Sequence, residues 1–173
     1  MKASAVRIGL FTIVVLVAAG CLGDRSSDPS SRRPAEAEQD SAFAGIQARG
    51  EHAMGVDQNT STHVFEPLPD GGRIRLQRNT NDSAGTEQIR RHMQHIVMAF
   101  RSGDFSLPGY VHALEVPGTA VMSAKREAIT YTVEALPRGA ALRLESTDSA
   151  AILAIHQFLA FQRADHHAAA HPS

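Results

Sequence analysis

The chain has no tryptophan, two tyrosines and seven phenylalanines among 173 residues. That scarcity removes the aromatic platforms on which nucleic-acid bases and sugars stack. Net charge is nearly absent as well: 17 Lys and Arg against 18 Asp and Glu leave −1. A balance so close to zero argues against nucleic acid, or an anionic membrane face, as the main partner. Cys21 is the single cysteine, so no disulfide can form within the chain. No Gly-rich phosphate cradle follows a parallel-strand pattern, and no serine stands in a Gly-x-Ser-x-Gly elbow. Acidic residues are scattered, with no pair of carboxylates that the spacing forces together.

What is present begins at the N-terminus. Lys2 and Arg7 precede an apolar run from Ile8 to Ala19, which is shorter than the roughly 20 residues a membrane-spanning helix takes. A basic start, a short apolar run and small residues at its end make an export signal. Ala18-Ala19-Gly20-Cys21 resembles the lipobox of bacterial lipoproteins, in which the cysteine is acylated and becomes the new N-terminus. Residues 1–20 therefore read as a lipoprotein signal peptide, with Cys21 as the lipidation site and membrane anchor. Leu22, rather than Asp, follows the cysteine. In enteric-type bacteria that favours passage to the outer membrane, facing the periplasm. Removing 20 of 173 residues leaves 153, at a formal charge of −3 once Lys2 and Arg7 are gone.

Residues 21–61 are rich in Ser, Asp, Glu, Arg and Gln, with Phe43, Ile46, Met54 and Val56 as the few packing residues. Such a composition buries too little apolar area to offset its ordering entropy. It predicts a flexible polar tether, with at most a short helix near Ala42. The folded part is expected over 62–165, followed by a disordered tail over 166–173.

That folded part repeats itself. Residues 66–76 match residues 134–144 with six of eleven positions identical, Glu66-x-Leu68-Pro69 and Glu134-x-Leu136-Pro137 leading each copy. A Pro-x-Gly turn between two alternating runs is a hairpin signal. With a four-residue turn, Leu68 faces Arg73, Glu66 falls opposite Arg75, and Glu134 falls opposite Arg143. The other face then carries Phe65, Ile74 and Leu76, with Tyr131, Val133, Leu142 and Leu144 in the second copy. Helical stripes follow each hairpin: Ile89, His92, Met93, Ile96, Val97 and Phe100, then Ile152, Ile155, His156 and Leu159. Asp82 or Ser83, and Asp148 or Ser149, are available as N-caps, and Gly103 as a stop. The expected fold is α+β: a four-stranded antiparallel sheet from two duplicated ββα units, with the helices on one face. Residues 104–127 form a connector with room for a short helix near Pro117.

Nine histidines and five methionines stand out against this background. His63 shares the apolar strand face with Phe65, His92 and His156 belong to the helical stripes, and His112 and Met122 lie in the connector. Imidazole and thioether suit Cu(I), zinc or haem iron. A metal site of His63, His92, His112, Met122 and His156 is therefore one expectation, with copper, zinc or haem as its occupant. The other is that each ring is satisfied separately by backbone or carboxylate, which is commoner for stripe-lining histidines. A third reading, a small enzyme with a histidine base, lacks a specified nucleophile or carboxylate partner. The leading expectation is a non-enzymatic binding module for a small ligand or protein partner.

Several stretches together resemble a family of small exported bacterial proteins of unknown function. They are Met54-Gly55, Thr62-His63-Val64-Phe65, Gly71-Gly72, Ile89-Arg90-x-His92, Phe100-x-x-Gly103-Asp104-Phe105, His112, Pro117-Gly118, Met122, Ile155-His156-x-Phe158-Leu159-x-Phe161-Gln162 and Asp165-His166. Members of that family often carry the label aspartate carbamoyltransferase. That enzyme resembles a pair of α/β domains with a Ser-Thr-Arg-Thr phosphate loop, and this chain has neither the length nor the loop. Relatives tend to have a second histidine after the one matching His63, where Val64 stands here.

Overall fold

Alternating apolar residues become strands wherever one sheet face is covered, and both repeats follow that rule. The computed structural model describes residues 34–55 and 58–167. The signal over 1–20, Cys21, the first part of the tether and the end of the tail with His171 lie outside the described residues. β1 (Ser61–Leu68) pairs with β2 (Gly71–Arg78), and β3 (Ile129–Leu136) with β4 (Gly139–Ser146), all antiparallel. β2 also pairs with β4, giving one four-stranded sheet in the order β1-β2-β4-β3. The fold is the expected α+β, with one repeat in each half of the sheet. Phe65, Ile74, Leu76, Tyr131, Leu142 and Leu144 are buried on the covered face.

The hairpin register differs from the expected one by two residues. Leu68 faces Gly71, Glu66 faces Arg73, and Glu134 faces Ala141. The turns hold two residues, Pro69-Asp70 and Pro137-Arg138, and the glycines after them open the inner strands. A Cβ on Gly71, whose φ is +142°, would collide with the Leu144 carbonyl, and one on Gly139 with the Leu76 carbonyl. These equivalent glycines mark close approach between the central strands, and at Gly71 the positive φ demands glycine as well. A shift of two leaves every side chain on its expected face, because the strand period is two. It does dissolve the expected charge pairs. Arg73 and Arg143 instead face each other across β2 and β4. Like charges in that position repel, and each is neutralised from the other repeat: Arg73 by Glu134 at 2.5 Å, Arg143 by Asp70 at 2.6 Å.

α2 (Ser83–Ser102) and α5 (Ser149–Asp165) cover the sheet. Asp82 accepts from the Gly85 amide at 3.0 Å, and Asp148 from Ala150 and Ala151 at 2.9 and 3.0 Å. Each cap satisfies amides that the first helical turn leaves without partners. Gly103, at φ +81°, ends α2. The helices exchange places: α2 packs mainly on β3 and β4, and α5 on β1 and β2. Arg90 of α2 donates to the Leu136 carbonyl at 2.9 Å, and His156 of α5 donates to the Leu68 carbonyl at 2.9 Å. Leu68 and Leu136 are equivalent in the repeat, so His156 does in one half what Arg90 does in the other. The connector forms two short helices, α3 (Ser106–His112) and α4 (Thr119–Ala124).

The segment expected as a tether is in part a helix, α1 (Pro34–Met54). It carries no apolar stripe, but Ile46 and Gly50 are buried and Arg49 donates to the Val111 carbonyl at 2.7 Å. Phe43 stacks on His167 with ring centres 4.3 Å apart. Helicity here comes from docking, chiefly on α3, which is the usual source of helix stability in proteins. No described helix is long and apolar enough to cross a membrane.

Tyr131 is fully buried in the core, and its hydroxyl has no hydrogen-bond partner among the described residues. Burial pushes its ionisation well above the ordinary tyrosine range. An unpaired buried hydroxyl is a penalty that phenylalanine lacks. Tyr131→Phe should leave stability unchanged or raise it by about 1 kcal/mol in urea unfolding; a loss larger than that would mean the hydroxyl has a partner in solution.

Candidate functional site

Between the covered face of the sheet and its helices lies a pocket of about 90 Å³. Four histidines reach it from four places in the chain: His63 on β1, His92 on α2, His112 at the end of α3 and His166 just past α5. The rest of the wall is mainly apolar, with Phe65, Ile74, Ile96, Phe100, Leu107 and Phe158 among its residues. Gly50 and Ala53 of α1 also line it. Small residues at these positions let the helix come close.

The four rings differ in their partners. His112 is clamped: Nδ1 meets Asp165 and Nε2 meets the Gln162 side-chain oxygen at 3.0 Å. An oxygen on each side fixes the orientation of the ring. The half-buried side chains of His63 and His92 make no hydrogen bond among the described residues. His166 has its Nδ1 buried without a partner among the described residues. His63 and His166 lie with ring centres 5.4 Å apart, and His112 and His166 with centres 5.0 Å apart.

Burial sets the protonation of the three unclamped rings. His63 is pushed down from 6.5 to about 3, by desolvation first and then by the nearby His166 and His92. His92 falls to about 4, by desolvation and by His95 on the same helix. His166 also falls to about 4, by desolvation and by His112 and His167, with Asp165 acting in the opposite direction. All three are therefore neutral near pH 7, each offering one donor and one acceptor nitrogen.

The expected site residues are divided by this geometry. His63, His92 and His112 come together. His156 and Met122 do not line the pocket: His156 is spent on the Leu68 carbonyl and Met122 is fully buried in the core. The stripe expected for the second helix is one position off. Ala151, Ala154, Ile155, Phe158, Leu159 and Gln162 are the buried set of α5, which leaves His156 at its margin. Neither expectation for the rings holds whole, since His112 and His156 are satisfied separately while His63 and His92 converge unpaired. Among the described residues, no group of three or more His, Cys, Asp or Glu is placed to hold a metal ion. Asp165, Gln162 and His166 join the site without having been expected there. A composition-based boundary puts His166 in the tail, although Gln162 and Asp165-His166 are part of the family resemblance. No family model, curated protein or solved structure matches this chain.

Proposed function

We propose that this chain is a bacterial lipoprotein facing the periplasm from the outer membrane. It works as a binding module, taking a small, largely apolar ligand into the pocket at α1. One observation carries the binding reading: three imidazoles line an apolar pocket with hydrogen-bonding capacity unused. His166 Nδ1 is buried with no partner among the described residues; buried polar groups are almost always paired, and one left bare costs about 1–3 kcal/mol. A ligand with matching polar groups offsets that cost, which is the usual make-up of a small-molecule site. A catalytic reading lacks support because Asp165 is taken by His112, and among the described residues no carboxylate bonds to His63 or His92 to orient either as a base.

A panel of small amphiphiles tests this through thermal unfolding, since a ligand that binds the folded state alone raises the midpoint. Some members should raise the midpoint of the wild type and fail to raise that of His92→Leu. A panel without effect, or equal shifts in both proteins, would refute the pocket as the site.

Anchoring has its own test. Cys21→Ser should release the protein from the membrane fraction and remove the mass of the acyl chains. A wild type without added lipid mass would overturn the lipoprotein reading.

A further inference from the structure

The duplicated fold carries its own control for the pocket. Counted from the helix N-caps Asp82 and Asp148, His92 corresponds to Phe158, and Phe100 to His166. Counted back from Leu68 and Leu136 at the ends of β1 and β3, His63 corresponds to Tyr131. Arg90 and His156 support this alignment, since they stand equally far from their caps and donate to the Leu136 and Leu68 carbonyls. Each of the three unclamped histidines therefore stands where the sister repeat keeps an aromatic ring. Those three rings pack on one another: Phe100 lies edge-on to Tyr131 and to Phe158, with centres 5.9 Å apart in both pairs. The same backbone positions thus accept an apolar core, and the fold does not require imidazole at them. Where a chain departs from a local rule it keeps elsewhere, the departure is expected at a functional site.

We propose, resting on the binding reading above, that the pocket takes a short-chain aliphatic alcohol, an uncharged ligand whose hydroxyl is recognised by His63, His92 and His166. Charge decides first. Among the described residues, no Asp, Glu, Lys or Arg lines the cavity. His112 does line it, and that ring is already met by Asp165. A charged ligand would be buried without a counter-ion, so the ligand is neutral.

Size decides the chain length. A cavity near 90 Å³ far exceeds the ~10–15 Å³ one water needs, yet falls short of the ~150 Å³ that holds benzene dry. A ligand of a few heavy atoms fits. Hydrogen bonding decides the head group. An imidazole nitrogen donates or accepts according to its tautomer, and a hydroxyl can answer either. An ether or a ketone only accepts. The alkyl chain then meets the apolar remainder of the wall, where Ile96, Leu107 and Phe158 stand.

Calorimetry on the purified full chain at neutral pH, with 1-butanol, 1-chlorobutane, butyrate and butylammonium, tests the proposal. 1-Butanol should bind, and each of the others about tenfold more weakly or worse: chlorobutane for want of an O–H, the ions for want of a counter-ion. His92→Phe and His166→Phe, which import the sister residues, should each weaken 1-butanol about tenfold while the urea midpoint stays level or rises. Chlorobutane or either ion binding as tightly as the alcohol overturns the proposal, while the pocket reading survives. Unchanged 1-butanol binding in both variants does the same. A lowered urea midpoint in either variant also overturns it, because that histidine would then belong to the packing. Binding of none of the four overturns both readings.

Discussion

On acidification the domain should unfold cooperatively as pH falls from about 6.5 towards 4, well before its carboxylates are protonated. His63, His92 and His166 are held at about 3, 4 and 4 in the folded chain, against an ordinary 6.5. Between those values the unfolded chain binds protons that the folded chain refuses, so stability falls as pH falls through the window and is level above it. Each unit of depression is worth about 1.4 kcal/mol. Even a fraction of three such shifts amounts to several kcal/mol, a large part of the roughly 5–15 kcal/mol that holds a domain folded. Asp70, Asp82, Asp104 and Asp148, held below the usual carboxylate range by hydrogen bonds, lose their support only at lower pH. Urea unfolding followed by circular dichroism across this range is the measurement. His92→Leu should move the acid transition to lower pH. A urea midpoint that stays flat down to about pH 4.5 would show that the rings are not held neutral by the fold.

Replacing His112 by alanine should cost about 3 kcal/mol. Its side chain is 1% exposed and links α3 to both Asp165 and Gln162 of α5. Removing it leaves the Gln162 oxygen and the Asp165 carboxylate without their ring partner, and it opens a cavity beside Phe161. Asp165 keeps 31% of its side chain exposed. Asp165→Asn, which retains an acceptor and can be rehydrated, should therefore cost about 1 kcal/mol. Hydrogen exchange in α3 should quicken more in the alanine variant than in the asparagine one. A loss below 1 kcal/mol for His112→Ala would mean that α3 is held by its apolar contacts alone.

Several features were legible because they are local. Asp82, Asp148 and Gly103 cap helices through bonds to amides and carbonyls a few residues away. The alternation of Phe65, Ile74 and Leu76 marks a face whatever register the strands adopt. The repeat itself announced two like units and hence a four-stranded sheet. Register was not legible in the same way. Gly71 and Gly139 look like turn residues until the neighbouring inner strand is present to show why no Cβ fits.

Local pattern by itself therefore determined the strands, the two long helices, their caps and the face that is covered. The tertiary structure alone decided how the halves are joined: α2 over the second hairpin, α5 over the first, and Arg73 and Arg143 each neutralised by the opposite repeat. It also decided the pocket. α1 has no apolar stripe to read and is a helix because α3 receives it. His166 follows the last apolar residue of α5 and reads as tail until Phe65 and His112 are seen on either side of it. His63, His92 and His166 lie far apart in the chain, and no short-range spacing encodes their meeting. Burial and proximity create both their neutrality and their unused hydrogen bonds, and these are properties of the packed molecule.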